Sequence, residues 1–161
     1  MVQREVRFLY TEFANETELN EADLALLRAA KKELPNAFAP YSKFHVSAAV
    51  LLENGEIVVG TNQENAAFPA CVCAEVTALS ACSSRFPGVA PLGIAIAVES
   101  KLKVTKKPAA PCGQCRQTIF EYENRYKNNI SILMSATEGV IFKVDSVKDI
   151  LPLYFSGEDF V

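Results

Sequence analysis

Three cysteines and one glutamate are spaced so that they could bind and use a metal ion. Cys73-Ala74-Glu75 precedes Pro111-Cys112-Gly113-Gln114-Cys115 along the chain. Zinc readily takes thiolate ligands, and three protein ligands leave one of its four tetrahedral positions open for water. A glutamate two residues beyond the first ligand can carry protons beside that water without binding the metal. The pattern predicts a catalytic zinc centre formed by Cys73, Cys112 and Cys115, with Glu75 as its proton carrier.

Both halves of this pattern are predicted to open helices, at residues 73–85 and 112–126. The first turn of a helix has unpaired N–H groups and a partial positive charge, and both favour thiolate over thiol. Cys112 and Cys115 lie one helical turn apart, so we expect their sulfurs to point the same way. Pro111 suits the entry to a helix, where its missing N–H costs nothing.

Two other interpretations of the cysteines stay open at this point. The first is a structural zinc site in which Cys71 or Cys82 supplies a fourth sulfur, an arrangement that gives Glu75 no role. The second is a redox pair formed by Cys112 and Cys115, because C-x-x-C pairs also open helices after strands. That interpretation leaves Cys73-Ala74-Glu75 without a function.

Length and composition favour a single globular domain, residues 1–161. Residues 1–19 precede the motifs and are expected to form an N-terminal extension. Half of the 161 residues are apolar, and 16 basic against 19 acidic residues give a net charge of -3, which argues against a polynucleotide partner. No apolar stretch is long enough to span a bilayer, so no membrane partner is expected. The N-terminus shows no signal-peptide pattern. Five cysteines, three of them at ligand spacing, favour a reducing, cytoplasmic location.

Hydrophobic spacing predicts an α/β fold. A helix capped by Asn20 is expected to end before Pro35, and the hairpin signal Asn54-Gly55 joins two predicted strands. The unbroken apolar run Leu92 to Val98 predicts a strand buried on both faces. This order predicts a three-layer α/β/α sandwich around a mixed sheet, with an extra N-terminal strand. The predicted strands are 6–13, 44–52, 57–60, 92–98, 130–135 and 140–144, and a short helix is predicted at 147–151.

Four ordered motifs resemble those of the short, homotetrameric type of cytidine deaminase, a family of zinc-dependent enzymes. A C-x-E followed by P-C-x-x-C is a known signature of zinc nucleobase deaminases. The match runs from about residue 20 to residue 155, and it implies a five-stranded mixed sheet between helices. The motifs are A-P-Y-S-K-F at 39–44, N-Q-E-N-A at 62–66, C-A-E at 73–75 and P-C-G-Q-C-R-Q at 111–117.

The resemblance also implies roles for individual residues. Cys73, Cys112 and Cys115 match the zinc ligands, and Glu75 matches the general acid and base. The substrate-binding positions are an aromatic that packs on the pyrimidine, a pair that binds a ribose hydroxyl and a backbone group that contacts the base carbonyl. Phe44 matches the aromatic, Asn62 and Glu64 match the ribose-binding pair, and the backbone of Ala74 matches the group at the base carbonyl. The C-terminal segment with Leu151-Pro152 and Phe155 resembles the one that reaches a neighbouring active site in the tetramer.

One position departs from the family pattern. The residue after the glutamate is usually an arginine that hydrogen-bonds a ligand sulfur, and here it is Val76. Three thiolates leave a zinc site with net negative charge, so a missing guanidinium predicts a weaker Lewis acid and a higher alkaline optimum. Arg116, next to Cys115, is a candidate for compensation. Blasticidin-S deaminases also have no arginine at this position.

The sequence therefore predicts hydrolytic deamination of cytidine and 2′-deoxycytidine to uridine and 2′-deoxyuridine, with release of ammonia, in pyrimidine salvage. The expected cofactor is Zn²⁺, the partners are a pyrimidine nucleoside and water, and the resemblance implies a homotetramer. An aminopyrimidine nucleoside analogue of the blasticidin-S type is the alternative substrate. A non-catalytic, zinc-stabilised domain is the alternative from another functional class.

Overall fold

The computed structural model describes residues 1–160, apart from the side chains of residues 158 and 159. Within this part of the chain, six strands and three α-helices form a single α/β arrangement. A 3-10 helix at Val147–Ile150 follows the last strand. In chain order the elements are β1 (Thr11–Phe13), α1 (Glu21–Glu33), β2 (Phe44–Leu52), β3 (Ile57–Thr61), α2 (Ala74–Arg85), β4 (Pro91–Ser100), α3 (Gly113–Tyr126), β5 (Ser131–Met134) and β6 (Ile141–Val144).

The strands form one mixed sheet in the order β1-β6-β5-β4-β2-β3. The β4–β5 pair is parallel and the other pairs are antiparallel. The predicted five strands with an added N-terminal strand are confirmed, but β1 is shorter than the predicted 6–13. Thr11 pairs with Lys143, and β6 ends at Val144, the next residue, so residues before Tyr10 would lie beyond the end of β6.

Helices cover both faces of the sheet, as predicted. Successive residues of a strand point to opposite faces. In β4, Ile94, Ile96 and Val98 therefore belong to the core under α2 and α3, whereas Ala95 and Ala97 belong to the core under α1. The predicted double burial of this strand is confirmed over residues 93–98. Leu92, at the end of the sheet, is 43% exposed.

Local sequence signals explain several of these boundaries. The Asn20 side chain accepts a hydrogen bond from the Asp23 N–H at 2.8 Å, which caps α1 as predicted. Gly55 takes a φ of +85° in the β2–β3 hairpin, a conformation that glycine adopts at little cost. Helices α2 and α3 each begin one residue after a predicted ligand, so Cys73 and Cys112 are their N-cap residues.

Close contact between β3 and α2 depends on Gly60. A Cβ atom built at Gly60 would lie 2.4 Å from the Ala78 nitrogen and 2.9 Å from the Ala74 oxygen. Both are backbone atoms of α2, and they cannot move aside as a flexible side chain could. The missing side chain therefore lets the first turns of α2, which carry Glu75, lie directly against the sheet.

Candidate metal centre and active site

The three predicted ligand sulfurs meet where the N-termini of α2 and α3 approach each other. Cys73 Sγ lies 3.9 Å from Cys112 Sγ, which lies 3.4 Å from Cys115 Sγ, and all three sulfurs are within 4.8 Å of one another. Tetrahedral zinc with Zn–S bonds of about 2.3 Å would separate its sulfurs by about 3.8 Å. The donor set and its spacing therefore fit a zinc ion.

The group of potential ligands contains three side chains and no fourth among the side chains that the structure describes. Cys71, which sequence reasoning left open as a fourth ligand, instead receives a hydrogen bond from the Asn65 N–H at 3.2 Å. Cys82 is buried within the core under α2 and α3. A closed structural site with either sulfur is therefore wrong, and one position of a bound metal would face the cleft.

Among the protein groups alone, the three thiols do not ionise equally. Burial, together with the charges of Cys112 and Glu75, raises the pKa of the Cys73 thiol to about 11. Burial also raises the pKa of Cys115, and the Glu75 charge adds to this effect. Burial opposes ionisation of Cys112 too, but hydrogen bonds involving Cys115 and Cys73 outweigh it and lower the pKa of Cys112. The helix N-termini thus favour thiolate at one ligand only, and binding a cation would release protons from the others.

Glu75 sits in the first turn of α2, two residues after Cys73, and its side chain lines the cleft beside the sulfurs. The residue is only 5% exposed. Burial raises the pKa of the Glu75 carboxyl, because a charged carboxylate is poorly solvated there. A raised pKa makes a carboxyl a better proton acceptor, which suits a group that must take up a proton and give it back.

A cleft of about 290 Å³ extends from the sulfurs across the ends of β2 and β4. Its walls include seven of the eight residues predicted for the site, and Cys115, the eighth, is fully buried behind Cys112. Sequence reasoning missed the apolar wall of the cleft. The apolar run of β4 gave the signal for it, because its alternate residues had to share one face. This wall is formed by Val46, Ile96, Val98 and Ala109.

Asn62 and Glu64 lie in the segment after β3, at the cleft. Asn62 donates to the Phe44 oxygen at 3.0 Å and accepts from the Val46 N–H at 2.9 Å. Glu64 accepts from the N–H groups of Tyr41 and Ser42 at 2.8 and 3.2 Å, and its hydrogen bond with the Ser42 side chain contributes most to lowering its pKa. An amide and a carboxylate have more bonding positions than these contacts occupy. Both side chains are therefore held in place with capacity to bind a polar ligand.

Phe44 and Ala74 also line the cleft, as predicted. The Phe44 ring is half-buried and packs against the core under α2 and α3. Ala74 is fully buried as the first residue of α2, where backbone N–H groups have no partner within the helix. The cleft therefore offers an aromatic face and a backbone donor beside the sulfurs.

Arg116 does not bond to a ligand sulfur. Its Nε donates to the Pro111 oxygen at 2.8 Å, and its Nη1 donates to the Ile150 oxygen at 2.7 Å. Compensation for Val76 by a guanidinium–sulfur bond from Arg116 is therefore wrong, because two carbonyls accept the hydrogen bonds of this guanidinium.

The part of the chain that the structure describes contains no helix long and apolar enough to cross a membrane.

Comparisons with known proteins agree with this geometry. Residues 20–129 match the family model for the cytidine and deoxycytidylate deaminase zinc-binding region. The chain is 36% identical over 135 residues to a cytidine deaminase of Halalkalibacterium halodurans, covering 83% of this chain and 94% of the relative. It is 39% identical over 134 residues to a cytidine deaminase of Sporosarcina psychrophila, covering 83% and 91%.

A solved structure gives the same result for the fold. The crystal structure of cytidine deaminase from Burkholderia pseudomallei superposes with a TM-score of 0.72 at 35% sequence identity. The match covers 85% of this chain and all of that one. With three cysteine sulfurs at zinc spacing and matches over most of its length, the chain belongs to the zinc-binding cytidine and deoxycytidylate deaminase family.

Proposed function

We propose that this chain catalyses the zinc-dependent hydrolytic deamination of cytidine and 2′-deoxycytidine. The products are uridine, 2′-deoxyuridine and ammonia, and the reaction serves pyrimidine salvage. The relatives named cytidine deaminase support this reaction, because the chain spans 94% and 91% of their lengths. The single observation that carries the proposal is the meeting of three sulfurs and one buried carboxyl beside one cleft.

Cys73, Cys112 and Cys115 hold the zinc in this proposal. Bound zinc supplies an acidified water molecule as the nucleophile at neutral pH. The sulfurs come from the starts of two helices, so packing of α2 against α3 sets the spacing of the three ligands. With three protein ligands, a bound zinc would keep a position for water beside the cleft that a nucleoside base can enter.

Glu75 moves the protons of the reaction. Its buried carboxyl would take one proton from the attacking water and deliver it to the ring nitrogen. It would then take the second proton from the new hydroxyl group on C4 and deliver it to the departing amine, as the C4 carbonyl forms and ammonia leaves. The raised pKa of Glu75 supports this role, since a proton carrier works best with a pKa near the working pH. The location of Glu75 two residues from Cys73 keeps the carboxyl beside the metal without making it a ligand.

The remaining predicted residues bind the nucleoside. Phe44 packs on the pyrimidine ring, and the backbone of Ala74 donates to the base carbonyl. Asn62 and Glu64 bind the sugar hydroxyl from the segment after β3, where backbone contacts from Tyr41 and Val46 already orient them. Their prior orientation supports the assignment, because a fixed polar group loses little freedom on binding.

Ammonia release from cytidine, followed with the decrease in ultraviolet absorbance, tests the proposal. The wild-type protein loaded with zinc should convert cytidine and 2′-deoxycytidine, and Glu75→Ala should lose turnover while keeping about one zinc per chain. Turnover by Glu75→Ala, or no turnover of any aminopyrimidine nucleoside by the wild type, would contradict the proposal. The second result would favour a non-catalytic, zinc-stabilised domain.

Val76 favours one second candidate function. An aminopyrimidine nucleoside analogue of the blasticidin-S type is the alternative substrate, because deaminases of that type resemble this chain in lacking the arginine. A panel that contains cytidine, 2′-deoxycytidine and such an analogue separates the two by their kcat/KM values. A higher kcat/KM for the analogue than for cytidine would replace the first candidate by the second.

Assembly, location and domain extent belong to the same proposal. We infer a homotetramer in the cytoplasm, built from one domain of residues 1–161 in which residues 1–19 extend the deaminase core. Exposed apolar side chains near the C-terminus support assembly, among them Leu153 and Phe155 at 97% and 57% exposure. Sedimentation velocity measures the oligomer directly, and a monomer at micromolar concentration would contradict this part.

A further inference from the structure

Cys112 is the proposed ligand that packing restrains least. Cys115 is fully buried and Cys73 is half-buried, whereas Cys112 is exposed. Cys112 is also the N-cap of α3, and its side chain makes no capping hydrogen bond. Its sulfur contacts the sulfurs of Cys73 and Cys115 at 3.9 and 3.4 Å, but these contacts join the proposed ligands only to one another. The direction of the Cys112 sulfur therefore also depends on contacts that hold the backbone just before α3.

Arg116 makes a contact of this kind. Its Nε–H bonds to the oxygen of Pro111, the residue directly before Cys112, at 2.8 Å. Holding this carbonyl limits rotation of the peptide that joins Pro111 to Cys112. A cation in the first turn of a helix opposes the helix dipole, so its placement requires a compensating interaction. Two charge-assisted hydrogen bonds, to Pro111 and to Ile150, supply it.

The second carbonyl is itself anchored to α3. Ile150 ends the 3-10 helix that begins at Val147. The buried Glu123 carboxylate holds the start of that helix, accepting from the Val147 N–H at 3.1 Å and the Ser146 hydroxyl at 2.8 Å. Glu123 follows Arg116 by seven residues, about two helical turns, so both lie on one face of α3. Two side chains of α3 therefore hold this short helix, Glu123 at its start and Arg116 at its end. Arg116 also links the end of the short helix to the Pro111 carbonyl.

We propose that Arg116 is a positioning residue for the metal site. By holding the Pro111 carbonyl, Arg116 orients the Cys112 sulfur toward the metal. The 3-10 helix Val147–Ile150 holds Arg116 in the position that this contact needs. The inference rests on the proposed metal site and deepens it. Its mechanism needs the planar fork of arginine, since two donors must reach two carbonyls at once. Charge alone is insufficient, so lysine should fail to replace arginine.

Arg116→Lys and Arg116→Gln test the proposal, with Arg125→Lys as the matched control on the same helix. Two measurements on purified protein report the site without relying on activity. The first is the absorption spectrum of the Co²⁺-loaded protein, whose d–d bands reflect tetrahedral thiolate coordination. The second is the rate of Zn²⁺ transfer to a chromogenic chelator. Both Arg116 variants should release zinc about tenfold faster than the wild type and show altered bands, and Arg125→Lys should match the wild type.

Wild-type spectra and release rates in Arg116→Lys would overturn the proposal, whether or not Arg116→Gln is affected. An effect of Arg116→Gln alone would indicate a charge effect. If the Arg116 variants fail to fold by circular dichroism, Glu123→Gln loosens the other end of the 3-10 helix and should also release zinc faster, and an unchanged rate would overturn the proposal. Absence of cytidine turnover in a zinc-loaded wild type would instead count against the proposed function, and leaves these readouts intact.

Discussion

The sulfurs of Cys73 and Cys112 lie 3.9 Å apart although 39 residues separate them along the chain. Each residue is the N-cap of a helix, and the two helices pack on the same face of the sheet. The distance between these two sulfurs therefore depends directly on the relative placement of α2 and α3. Any change that moves one helix start against the other should be visible as a loss of zinc.

Replacing a proposed ligand should weaken zinc binding far more than replacing a cysteine outside the ligand group. Cys112→Ser removes one of three sulfurs. Zinc affinity should therefore fall further than it does when a residue that only supports a ligand is mutated, which typically costs about 10- to 100-fold. Cys71→Ser is the matched control, because Cys71 lies outside the ligand group and bonds to Asn65. Zinc per chain is measured by atomic absorption after dialysis. Equal losses in the two variants would contradict the assignment of Cys112.

Adding a methyl group at Gly60 should destabilise the contact between β3 and α2. Its Cβ would lie 2.4 Å from the Ala78 nitrogen, and this backbone atom can move only if α2 moves. Gly60→Ala should lower the free energy of unfolding by about 1–3 kcal/mol, measured by urea denaturation, and should weaken zinc binding. At Gly157 a Cβ meets nothing within 4 Å, so Gly157→Ala is the control. Similar stabilities for the two variants would refute the close-approach argument.

Removing the Glu123 carboxylate should be costly for stability. Glu123 is 1% exposed and accepts from the N–H groups of Ile130 and Val147 at 2.9 and 3.1 Å. Glu123→Ala leaves both buried donors without a partner, at about 1–3 kcal/mol each. The exposed Glu121 on the same helix is the control, and Glu121→Ala should change the free energy of unfolding by less than about 0.5 kcal/mol. A loss below about 1 kcal/mol for Glu123→Ala would show that these donors find other partners.

Restoring the family arginine should change the pH dependence of the reaction. A guanidinium at position 76 would offset the excess negative charge of three thiolates and strengthen the metal as a Lewis acid. The active form would then exist at lower pH, so Val76→Arg should move the acidic limb of the kcat profile to lower pH. Ser80→Arg adds the same charge at an exposed position of α2 and should leave the limb in place. Coincident acidic limbs in the wild type and Val76→Arg would contradict the hypothesis.

Much of the fold could be predicted from the sequence, because it depends on signals that act over a few residues. Strand β2 runs from Phe44 to Leu52 as predicted, and Asn54-Gly55 marks the hairpin that follows. Asn20 caps α1 as expected. Boundaries that depend on a distant partner were less accurate. Strand β1 begins only at Thr11, which pairs with Lys143, because β6, far away in the chain, ends at Val144.

For the candidate site too, some features followed from local sequence and others depended on tertiary packing. Residue types and spacing alone determined that Cys73, Cys112 and Cys115 could hold zinc and that Glu75 could carry protons, since ligand chemistry and helical periodicity are local properties. Only the tertiary structure decided that Cys71 and Cys82 stand outside the ligand group and that Arg116 bonds to two carbonyls rather than a sulfur. Those outcomes depend on which backbone atoms the packed helices and the Val147–Ile150 segment bring within bonding distance, and no local pattern encodes that distance.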